Sequence, residues 1–388
     1  MSDDNKDTDK DDVKPKKIVD RGQYSRKIET SQVDAAGFDK VMTFGDQVFR
    51  IEKDLRYGQN PEQAAARFIQ AGLEEPSLMT APVIYAGKKG LSFINYTDAN
   101  SALHLCDLLG DEKTAVVVPV KHSTPSGVGL DYSGDLIKAY ENAFKGDPLS
   151  IFGCAMAVNR TVDEDFIRSL GSLLMEVLIA PKFTEQAVEY VKEHKKSARL
   201  VELGEGKISF PEYNLVAVSG GFLVEQPYET RILGPENLEA ITDTKPTDDH
   251  IRAGIVAWKI AGQVKSNAIV IVSPDGTHTY GIGAGQMSRV ASARIATYNA
   301  LNVYGNGSLK SLEGAVAASD AFFPFPDAAE KLVNPEEGIR GVDAIIYPLG
   351  SLKDKETIDM LNRYGRIGLC TRPEPGTDKI ERAFSGHP

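Results

Sequence analysis

Short apolar runs alternate with amphipathic stretches along most of this chain. In the first half, residues 114–120, 151–158 and 177–180 are apolar runs with little polar interruption. Runs of this kind are typical of strands that are covered on both faces. The segments between and after them have the spacing of helices with one buried side. The predicted helices of this half are 98–109, 134–144, 163–172 and 184–194, and a further helix over 61–71 is predicted to begin at Pro61.

The second half repeats the theme of strand, glycine-containing loop and helix. The predicted strands are 215–220, 267–272, 278–282, 315–317, 341–347 and 367–370, and the predicted helices are 247–263, 288–301 and 355–364. Strands that alternate with helices of this length favour the α/β class with a parallel or mixed sheet. We therefore predict two related α/β domains, with a helical connector at about 227–246.

The domain boundaries follow from composition. Residues 1–17 are almost entirely polar and have too few apolar side chains to form a core. We predict a disordered tail over 1–36, a first domain over 37–210, and a connector with a second domain over 211–388. A length of 388 residues fits two domains of ordinary size.

Charge and cysteine content exclude several function classes. The net charge of −11 argues against a nucleic-acid binder, and no apolar run approaches the length of a membrane span. The first residues do not show the basic-then-apolar pattern of a signal segment, so none is expected. The three cysteines and six histidines show no zinc-ligand spacing, so we predict no metal site. A cytoplasmic protein that contacts neither membrane nor nucleic acid is expected.

The sharpest candidate chemistry is the pair Lys121-His122, which follows the strand predicted over 114–120. Ligands bind at such strand ends in open α/β sheets. A fixed positive charge beside a proton acceptor suits group transfer, in which a weak nucleophile loses a proton while an oxygen gains charge. The alternative is an exposed lysine beside a histidine that caps the strand, and the pattern alone leaves both open.

Two further segments are rich in glycine or aromatic residues. Residues 281–285 read Gly-Ile-Gly-Ala-Gly, but the third glycine comes one residue too early for a nicotinamide-binding fingerprint. The loop suits either an anion or ring bound close to the backbone, or a tight hairpin-to-helix turn. Residues 318–325 read Ala-Ser-Asp-Ala-Phe-Phe-Pro-Phe, which suits either a buried core or the flat face of a pterin or purine.

Taken together, these segments closely resemble the aminoimidazole carboxamide ribonucleotide (AICAR) transformylase part of the bifunctional purine-biosynthesis enzymes. The resemblance covers roughly residues 50 to 355, with all pieces in the family's order. The matching pieces are Leu-Arg-Tyr-Gly-Gln-Asn-Pro at 55–61, Leu-Ser-Phe-Ile-Asn at 91–95, Val-Lys-His-Ser-Thr-Pro-Ser-Gly at 120–127, Ser-Ile-Phe-Gly at 150–153, Ile-Ala-Pro at 179–181, Lys-Ser-Asn at 265–267, the segments 281–289 and 318–325, and Gly-Ser at 350–351.

The resemblance implies formyl transfer from 10-formyltetrahydrofolate to the 5-amino group of AICAR, with no metal required for the chemistry. It also implies two cytidine-deaminase-like three-layer α/β/α domains and a homodimer whose active sites form at the interface. By the same resemblance, His122 is the general base, Lys121 stabilises charge on the formyl oxygen and the leaving nitrogen, and Asn267 orients the substrate. The remaining site positions that it implies are Arg56, Tyr57, Gly153, Glu176, Ser288 and Arg289 for the nucleotide, and Phe152, Gln286, Phe322, Pro324, Asp327 and Ser351 for the folate.

The chain departs from the family pattern at several positions. Glu176 replaces an aspartate, Cys154 stands where an acid often occurs, and Pro326 replaces a basic residue. The family's C-terminal arginine, a phosphate ligand across the dimer, has two possible counterparts here, Arg372 and Arg382. The family's cyclohydrolase domain is not found in this sequence, so we expect formylation without ring closure and a separate cyclohydrolase.

Three other hypotheses remain in view. A formyltransferase with an altered acceptor is suggested by Glu176 and the changed C-terminal segment. A catalytically silent homologue that binds a purine-type nucleotide or folate is opposed by the presence of Lys121, His122 and Asn267 together. A nicotinamide oxidoreductase depends on the glycine loop alone.

Overall fold

The computed structural model describes residues 40–55, 57–87 and 90–383. This part begins with a three-stranded antiparallel sheet formed by β1 (Val41–Phe44), β2 (Gln47–Leu55) and β3 (Ala65–Gln70). The prediction of a helix over 61–71 is therefore wrong. The Ala-rich segment has helix-forming residues, but pairing with β2 overrides that propensity. Arg67 on β3 also forms an ion pair with Glu52 on β2 and donates to the Tyr96 hydroxyl at 2.7 Å.

A mixed sheet and four helices follow. The strands are β4 (Val83–Tyr85), β5 (Ala115–Lys121), β6 (Thr124–Pro125), β7 (Gly129–Asp131), β8 (Cys154–Val158), β9 (Met175–Ala180) and β10 (Arg199–Glu202), and the helices are α1 (Phe93–Leu109), α2 (Leu136–Gly146), α3 (Glu164–Ser169) and α4 (Glu185–His194). The strand order is β4-β10-β9-β8-β5-β6, and β7 also pairs with β5. Strands β8, β9 and β10 run parallel, whereas β5 is antiparallel to β8 and β4 to β10.

A hairpin of β11 (Asn214–Val218) and β12 (Gly221–Glu225) leads into a second mixed sheet. Its strands are β13 (Leu238–Ala240), β14 (Ile269–Val272), β15 (Thr279–Gly283), β16 (Val316–Ser319), β17 (Ala344–Tyr347) and β18 (Ile367–Thr371), and the helices are α5 (Asp248–Ala261), α6 (Arg289–Tyr298), α7 (Asp327–Val333) and α8 (Asp354–Arg363). The strand order is β13-β18-β17-β16-β14-β15. Strands β16, β17 and β18 run parallel, with β14 and β13 antiparallel to their neighbours.

The two sheets repeat one arrangement. In each, a long helix precedes a central strand, a short strand pairs beside it, and three parallel strands end at an antiparallel edge. The α/β class predicted from the apolar runs is confirmed. Helix α1 packs on β5 and β8, helix α5 packs on β14 and β16, and both helices belong to one buried apolar cluster that includes Leu105 and Trp258.

Backbone hydrogen bonds also join the two halves. The Leu130 N–H donates to the Thr277 carbonyl at 2.7 Å, and the Thr279 N–H donates to the Val128 carbonyl at 3.1 Å. These bonds, with the bridge between Gly129 and His278, align β7 with the start of β15. The edges of the two sheets are therefore joined by backbone hydrogen bonds.

The connector differs from its prediction. Over 227–246 the chain contains only a single 3₁₀ turn (Pro235–Asn237) and strand β13, so the predicted helical connector is wrong. Pro227, Pro235 and Pro246 lack the N–H donors that a helix interior needs. Besides β3, the strands that were not predicted are β1, β2, β4, β6, β7, β10, β12 and β13, and helix α7 was also not predicted. The predicted tail over 1–36 lies outside the described residues. None of the helices in the described ranges is both long enough and apolar enough to span a membrane.

Candidate active site

Lys121 and His122 lie at a tight hairpin turn. Lys121 is the last residue of β5, and the pairing of Val120 with Pro125 and of Lys121 with Thr124 leaves His122 and Ser123 as the two central residues. Both have positive φ values, 54° for His122 and 58° for Ser123. Two-residue hairpins of the type I′ class need positive φ at both positions, and Asn-Gly is the usual choice there. His-Ser is a costly choice, at roughly 1–2 kcal/mol per residue.

A buried carboxylate on α1 holds this turn. Asp98 is 5% exposed, and its Oδ1 accepts a hydrogen bond from the Ser123 N–H at 2.7 Å. Burial raises the pKa of Asp98, and the N–H groups of Ser123 and His122 act in the opposite direction by stabilising its charged form. The unusual backbone of the turn is thus fixed by a specific acceptor.

The Lys121 side chain is held beside β8. Its Nζ donates to the Phe152 carbonyl oxygen at 3.0 Å. The next residue, Gly153, has φ of 81°, and a Cβ at this position would come 4.0 Å from the same Nζ. Burial raises the pKa of the neighbouring Cys154 thiol to about 12, so this thiol stays protonated at neutral pH. Of the residues predicted to bind ligands, Phe152 and Gly153 therefore lie at Lys121.

A cavity between the two sheets opens beside the turn. Its volume is about 430 Å³. The lining includes Lys121, His122, Thr124, Ser126, Asp147 and Ser150 from the first half, and Thr279, Gly281, Ile282 and Asn299 from the second. A charged donor and an imidazole thus face one opening, as proton transfer next to a developing negative charge requires.

Glu176 lies close to this group. Its Oε2 accepts a hydrogen bond from the Asn95 side-chain nitrogen at 2.8 Å. The negative charge of Glu176 also contributes to the raised pKa of Asp98, after burial. The longer side chain at position 176 therefore remains among the residues around Asp98 and the turn.

Asn267 forms a second group with Gln286 and Arg289. The Asn267 side-chain nitrogen donates to the Gln286 carbonyl at 2.7 Å, and its Oδ1 accepts from Arg289 Nη2 at 2.9 Å. Arg289 is 7% exposed and forms an ion pair with the fully buried Asp320. Asp320 Oδ1 also accepts from the Ala268 N–H at 3.0 Å. The amide of Asn267 is therefore held at both of its polar atoms.

The glycine-rich segment before Arg289 is explained by packing. A Cβ at Gly281 would lie 2.1 Å from the Ala296 carbonyl oxygen, and one at Gly283 would lie 2.0 Å from the Ser292 carbonyl oxygen. Both of these oxygens belong to α6, so β15 needs glycine in order to approach the helix. Gly285 has φ of 67° and turns the chain toward α6. Ser288 caps this helix by accepting from the Ala291 N–H at 3.2 Å.

A third group contains three of the residues predicted for the folate, Phe322, Pro324 and Ser351. Ser351 Oγ donates to the Pro324 carbonyl at 3.4 Å, and the Arg382 guanidinium lies 5.0 Å from the centre of the Phe322 ring. This third group continues from the second, because the Ala383 N–H donates to the Asp320 carbonyl at 2.9 Å. Asp327 lies at the start of α7, where its Oδ1 accepts from the Ala328 N–H at 2.8 Å.

Arg372, one of the two C-terminal candidates, bonds to other groups. Its Nε donates to Glu239 Oε2 at 2.8 Å, and its Nη1 donates to the Asp378 carbonyl at 3.2 Å. Tyr57 lies just after β2. Arg56 is outside the described residues.

Two acidic residues in these groups were not predicted. Asp98 accepts a hydrogen bond from the turn at Ser123, and Asp320 accepts one from Ala268, next to Asn267. Neither acid belongs to a short motif with a recognised mechanism. The signal that sequence offered was an acidic residue at an otherwise apolar position, on α1 for Asp98 and at the end of β16 for Asp320. Buried acids of this kind are almost always paired. In the described ranges, no cluster of three or more His, Cys, Asp or Glu side chains is arranged as a metal site.

Comparison with known proteins identifies the family. The family model described as AICARFT/IMPCHase bienzyme matches residues 20–299. The chain belongs to this family. Similar proteins include the bifunctional purine biosynthesis protein PurH of Staphylococcus haemolyticus, 40% identical over 320 residues, which are 82% of this chain and 59% of the relative. PurH of Oceanobacillus iheyensis is 38% identical over 82% of this chain and 58% of its own length.

The AICARFT/IMPCHase match contains the first two groups of the site. Residues 20–299 include Lys121, His122, Asn267 and Arg289, whereas Phe322 and Arg382 come later in the chain. PurH of Staphylococcus aureus strain Newman is 38% identical over 339 residues, 86% of this chain and 63% of the relative. The chain thus spans about six-tenths of the length of these curated relatives.

Proposed function

We propose that this protein transfers the formyl group of 10-formyltetrahydrofolate to the 5-amino group of AICAR, giving formyl-AICAR and tetrahydrofolate without ring closure. The observation that carries the proposal is the Lys121-His122 turn, which is held by Asp98 at the edge of an interdomain cavity. The family of the chain supports the same reaction.

The chemistry needs both residues of the pair. The amine of AICAR is a weak nucleophile, because its lone pair is delocalised into the imidazole ring. His122 accepts the amine proton as the nitrogen bonds to the formyl carbon, a role that typically contributes ~10²–10⁴-fold. The bond between that carbon and the folate nitrogen then breaks, and the proton passes to this nitrogen. Lys121 stabilises the negative charge on the formyl oxygen, a contribution of ~10²–10³-fold for one such donor.

Asn267 would orient the substrate carboxamide or the formyl group. Its side chain is suited to this because Gln286 and Arg289 hold it from two sides. Preorganised donors of this kind need no rearrangement during the reaction. Ser288 and Arg289 are proposed to lie beside the substrate at the start of α6.

The third group fits a folate. Phe322 offers an aromatic face, Pro324 stiffens the adjoining backbone, and Asp327 supplies a carboxylate for the N–H donors of a pterin. The Ser351 hydroxyl bonded to the Pro324 carbonyl ties two of these segments together. Phe152 and Gln286 are the further folate positions of the proposal.

For the nucleotide we propose Arg56, Tyr57, Gly153 and Glu176. Of the two C-terminal candidates for the phosphate, Arg382 is favoured over Arg372. Arg372 is already paired with Glu239, at 2.8 Å, whereas Arg382 lies over the Phe322 ring and so adjoins the proposed folate group.

In a homodimer, the Lys121-His122 group of one protomer and the Asn267-Arg289 group of its partner would form one site. Among the described residues, no hydrogen bond or ion pair joins Lys121 or His122 to Asn267 or Arg289. The β11–β12 hairpin also exposes apolar side chains on both faces. By its register, Leu215, Phe222 and Val224 share one face, and the Phe222 side chain is 71% exposed. Exposed apolar surface of this extent is typical of an interface.

The proposal also includes the domain type, the domain boundaries, the location and a separate cyclohydrolase. The repeated sheet order supports two domains of cytidine-deaminase type with the boundaries 37–210 and 211–388. A cytoplasmic location and a separate cyclohydrolase that uses the product stay predictions.

The test is a steady-state assay of tetrahydrofolate release from 10-formyltetrahydrofolate and AICAR. We expect turnover in the unchanged protein, a loss of about 10²-fold or more in His122→Ala, and no loss in His194→Ala, which alters an exposed histidine on α4. Tight AICAR binding without turnover would favour an altered acceptor or a silent homologue. Failure to bind either ligand would contradict the proposed site.

A further inference from the structure

We propose that Asp98 is a positioning residue that aims the His122 imidazole by fixing the backbone of the turn. This inference rests on the proposed function, in which His122 is the base. The rate of the reaction would then depend in part on Asp98, a carboxylate on α1 that does not line the cavity.

The backbone of the turn has an unusual shape. His122 and Ser123 are consecutive non-glycine residues with positive φ. Such residues persist only where the surroundings over-determine them, and they cluster at functional sites. A hairpin that served only to reverse the chain would be better served by Asn-Gly.

Asp98 on α1 is the acceptor that holds the turn. Asp98 Oδ1 accepts the Ser123 N–H at 2.7 Å, and the His122 N–H also stabilises the Asp98 carboxylate. Asp98 is 5% exposed and lies in the middle of α1, a helix packed on β5 and β8. The Ser123 N–H thus makes the hydrogen bond that holds the turn to this carboxylate, and the adjacent His122 N–H adds to the stabilisation of its charge. The core helix thereby sets the direction in which His122 leaves the strand.

Asp98 can act through the hydrogen bond that it accepts or through its negative charge, and substitutions distinguish the two. If Asp98 acts by accepting hydrogen bonds, an asparagine keeps the acceptor oxygen and preserves the turn. If the turn is strained without Asp98, glycine at position 123 relieves part of the strain, because glycine adopts positive φ without steric cost. Ser123 does not line the cavity, so its replacement removes no group that faces the cavity.

The experiment compares Asp98→Ala, Asp98→Asn, Ser123→Gly and the double variant Asp98→Ala/Ser123→Gly. We expect kcat of Asp98→Ala to fall about 10–100-fold, as for a displaced catalytic group, with KM for AICAR nearly unchanged. Asp98→Asn and Ser123→Gly should remain near the unchanged protein. The double variant should recover several-fold of the kcat that Asp98→Ala loses.

Hydrogen exchange of the peptide over 121–126, followed by mass spectrometry, gives a readout without substrate. The Ser123 amide should exchange faster in Asp98→Ala and stay protected in Asp98→Asn. If the unchanged protein shows no formyl transfer, the proposed function fails, while the exchange result still tests the hold of Asp98 on the turn.

Three results would overturn the inference. They are an unchanged kcat in Asp98→Ala, a kcat loss that Ser123→Gly does not relieve at all, and unchanged exchange of the Ser123 amide. If Asp98→Ala does not fold, Asp98→Asn decides instead. A large kcat loss in that variant with the amide still protected would show that the charge acts rather than the position.

Discussion

Arg289 Nη2 lies 2.9 Å from the side-chain oxygen of Asn267, so a buried arginine fixes which way this amide points. The same guanidinium pairs with Asp320, which is fully buried at the end of β16. Asp320 in turn accepts from the Ala268 N–H, next to Asn267 in the chain. The start of β14, the start of α6 and the end of β16 are therefore tied together at one amide.

Lysine at position 289 tests this arrangement. Arg289→Lys keeps the charge opposite Asp320 but loses the fork that reaches Ser319, Asp320 and Asn267 at once. We expect kcat to fall about 10–100-fold, with urea unfolding showing a smaller loss of stability than in Arg289→Ala. The alanine variant leaves Asp320 buried and unpaired, which typically costs about 3–5 kcal/mol.

The control is Arg294→Lys, since Arg294 is exposed on the same helix. Its kcat and unfolding midpoint should match those of the unchanged protein. A kcat for Arg289→Lys equal to that of this control would mean that the guanidinium does not orient Asn267 for catalysis.

Alanine at Gly283 tests the packing explanation of the glycine-rich segment. A Cβ there would lie 2.0 Å from the Ser292 carbonyl oxygen, so β15 and α6 would have to separate. We expect a loss of at least about 1–3 kcal/mol in the free energy of unfolding, as for overpacked cores. Gly285→Ala should cost roughly 1–2 kcal/mol through its positive φ alone. Gly221→Ala, with nothing within 4 Å of its Cβ, should be nearly neutral.

Urea unfolding of the three variants provides the comparison. If Gly283→Ala were as stable as Gly221→Ala, the close approach of β15 to α6 would be wrong, and a ligand-contact role for the glycine would regain support.

The buried histidine at the junction of the halves predicts a pH dependence of stability. His278 accepts or donates hydrogen bonds with Tyr304 and Thr277, both at 2.8 Å, and burial lowers its pKa to about 4. In the unfolded chain the pKa is near its ordinary value of ~6.5. The unfolded state therefore binds one more proton between these pH values, so stability is full above pH ~6.5 and falls as the pH drops toward 4.

The expected slope from this group is about 1.4 kcal/mol per pH unit within that window, or roughly 3 kcal/mol in total. Thermal or urea unfolding of the unchanged protein and of His278→Gln between pH 4 and 7 measures it as a difference. The glutamine variant should be less stable at pH 7 and should lose less on acidification. Parallel stability curves for the two proteins would show that His278 is not held neutral by burial.

Most central strands of the two sheets could be predicted from the sequence, whereas the buried acids that hold the site residues could not. Apolar runs such as 114–120 identify central strands because these strands are buried on both faces. Strand β3 was missed because its pairing with β2 is a tertiary effect that local propensity does not contain. The sequence pointed to Lys121 and His122 as candidate catalytic residues, but it did not predict the positive φ values of His122 and Ser123.

The interpretation of the glycines shows the same limit. The residues of 281–285 predict a close backbone approach, and the pattern does not say whether the approaching group is a ligand or a helix. Only the contact of Gly281 and Gly283 with α6 distinguishes the two. Asp98 and Asp320 were missed for a related reason, because each acts on a segment that is distant in sequence.

The most direct test of the account is complementation between two inactive variants, His122→Ala and Asn267→Ala. If one formyl-transfer site takes His122 from one protomer and Asn267 from its partner, each mixed dimer contains one intact site. Equimolar mixing after dissociation should then restore about a quarter of the unchanged activity, since half of the dimers are mixed and each has one working site. Activity that stays at the level of the separate variants, with mixed dimers shown to be present, would contradict a site shared between two copies of the chain.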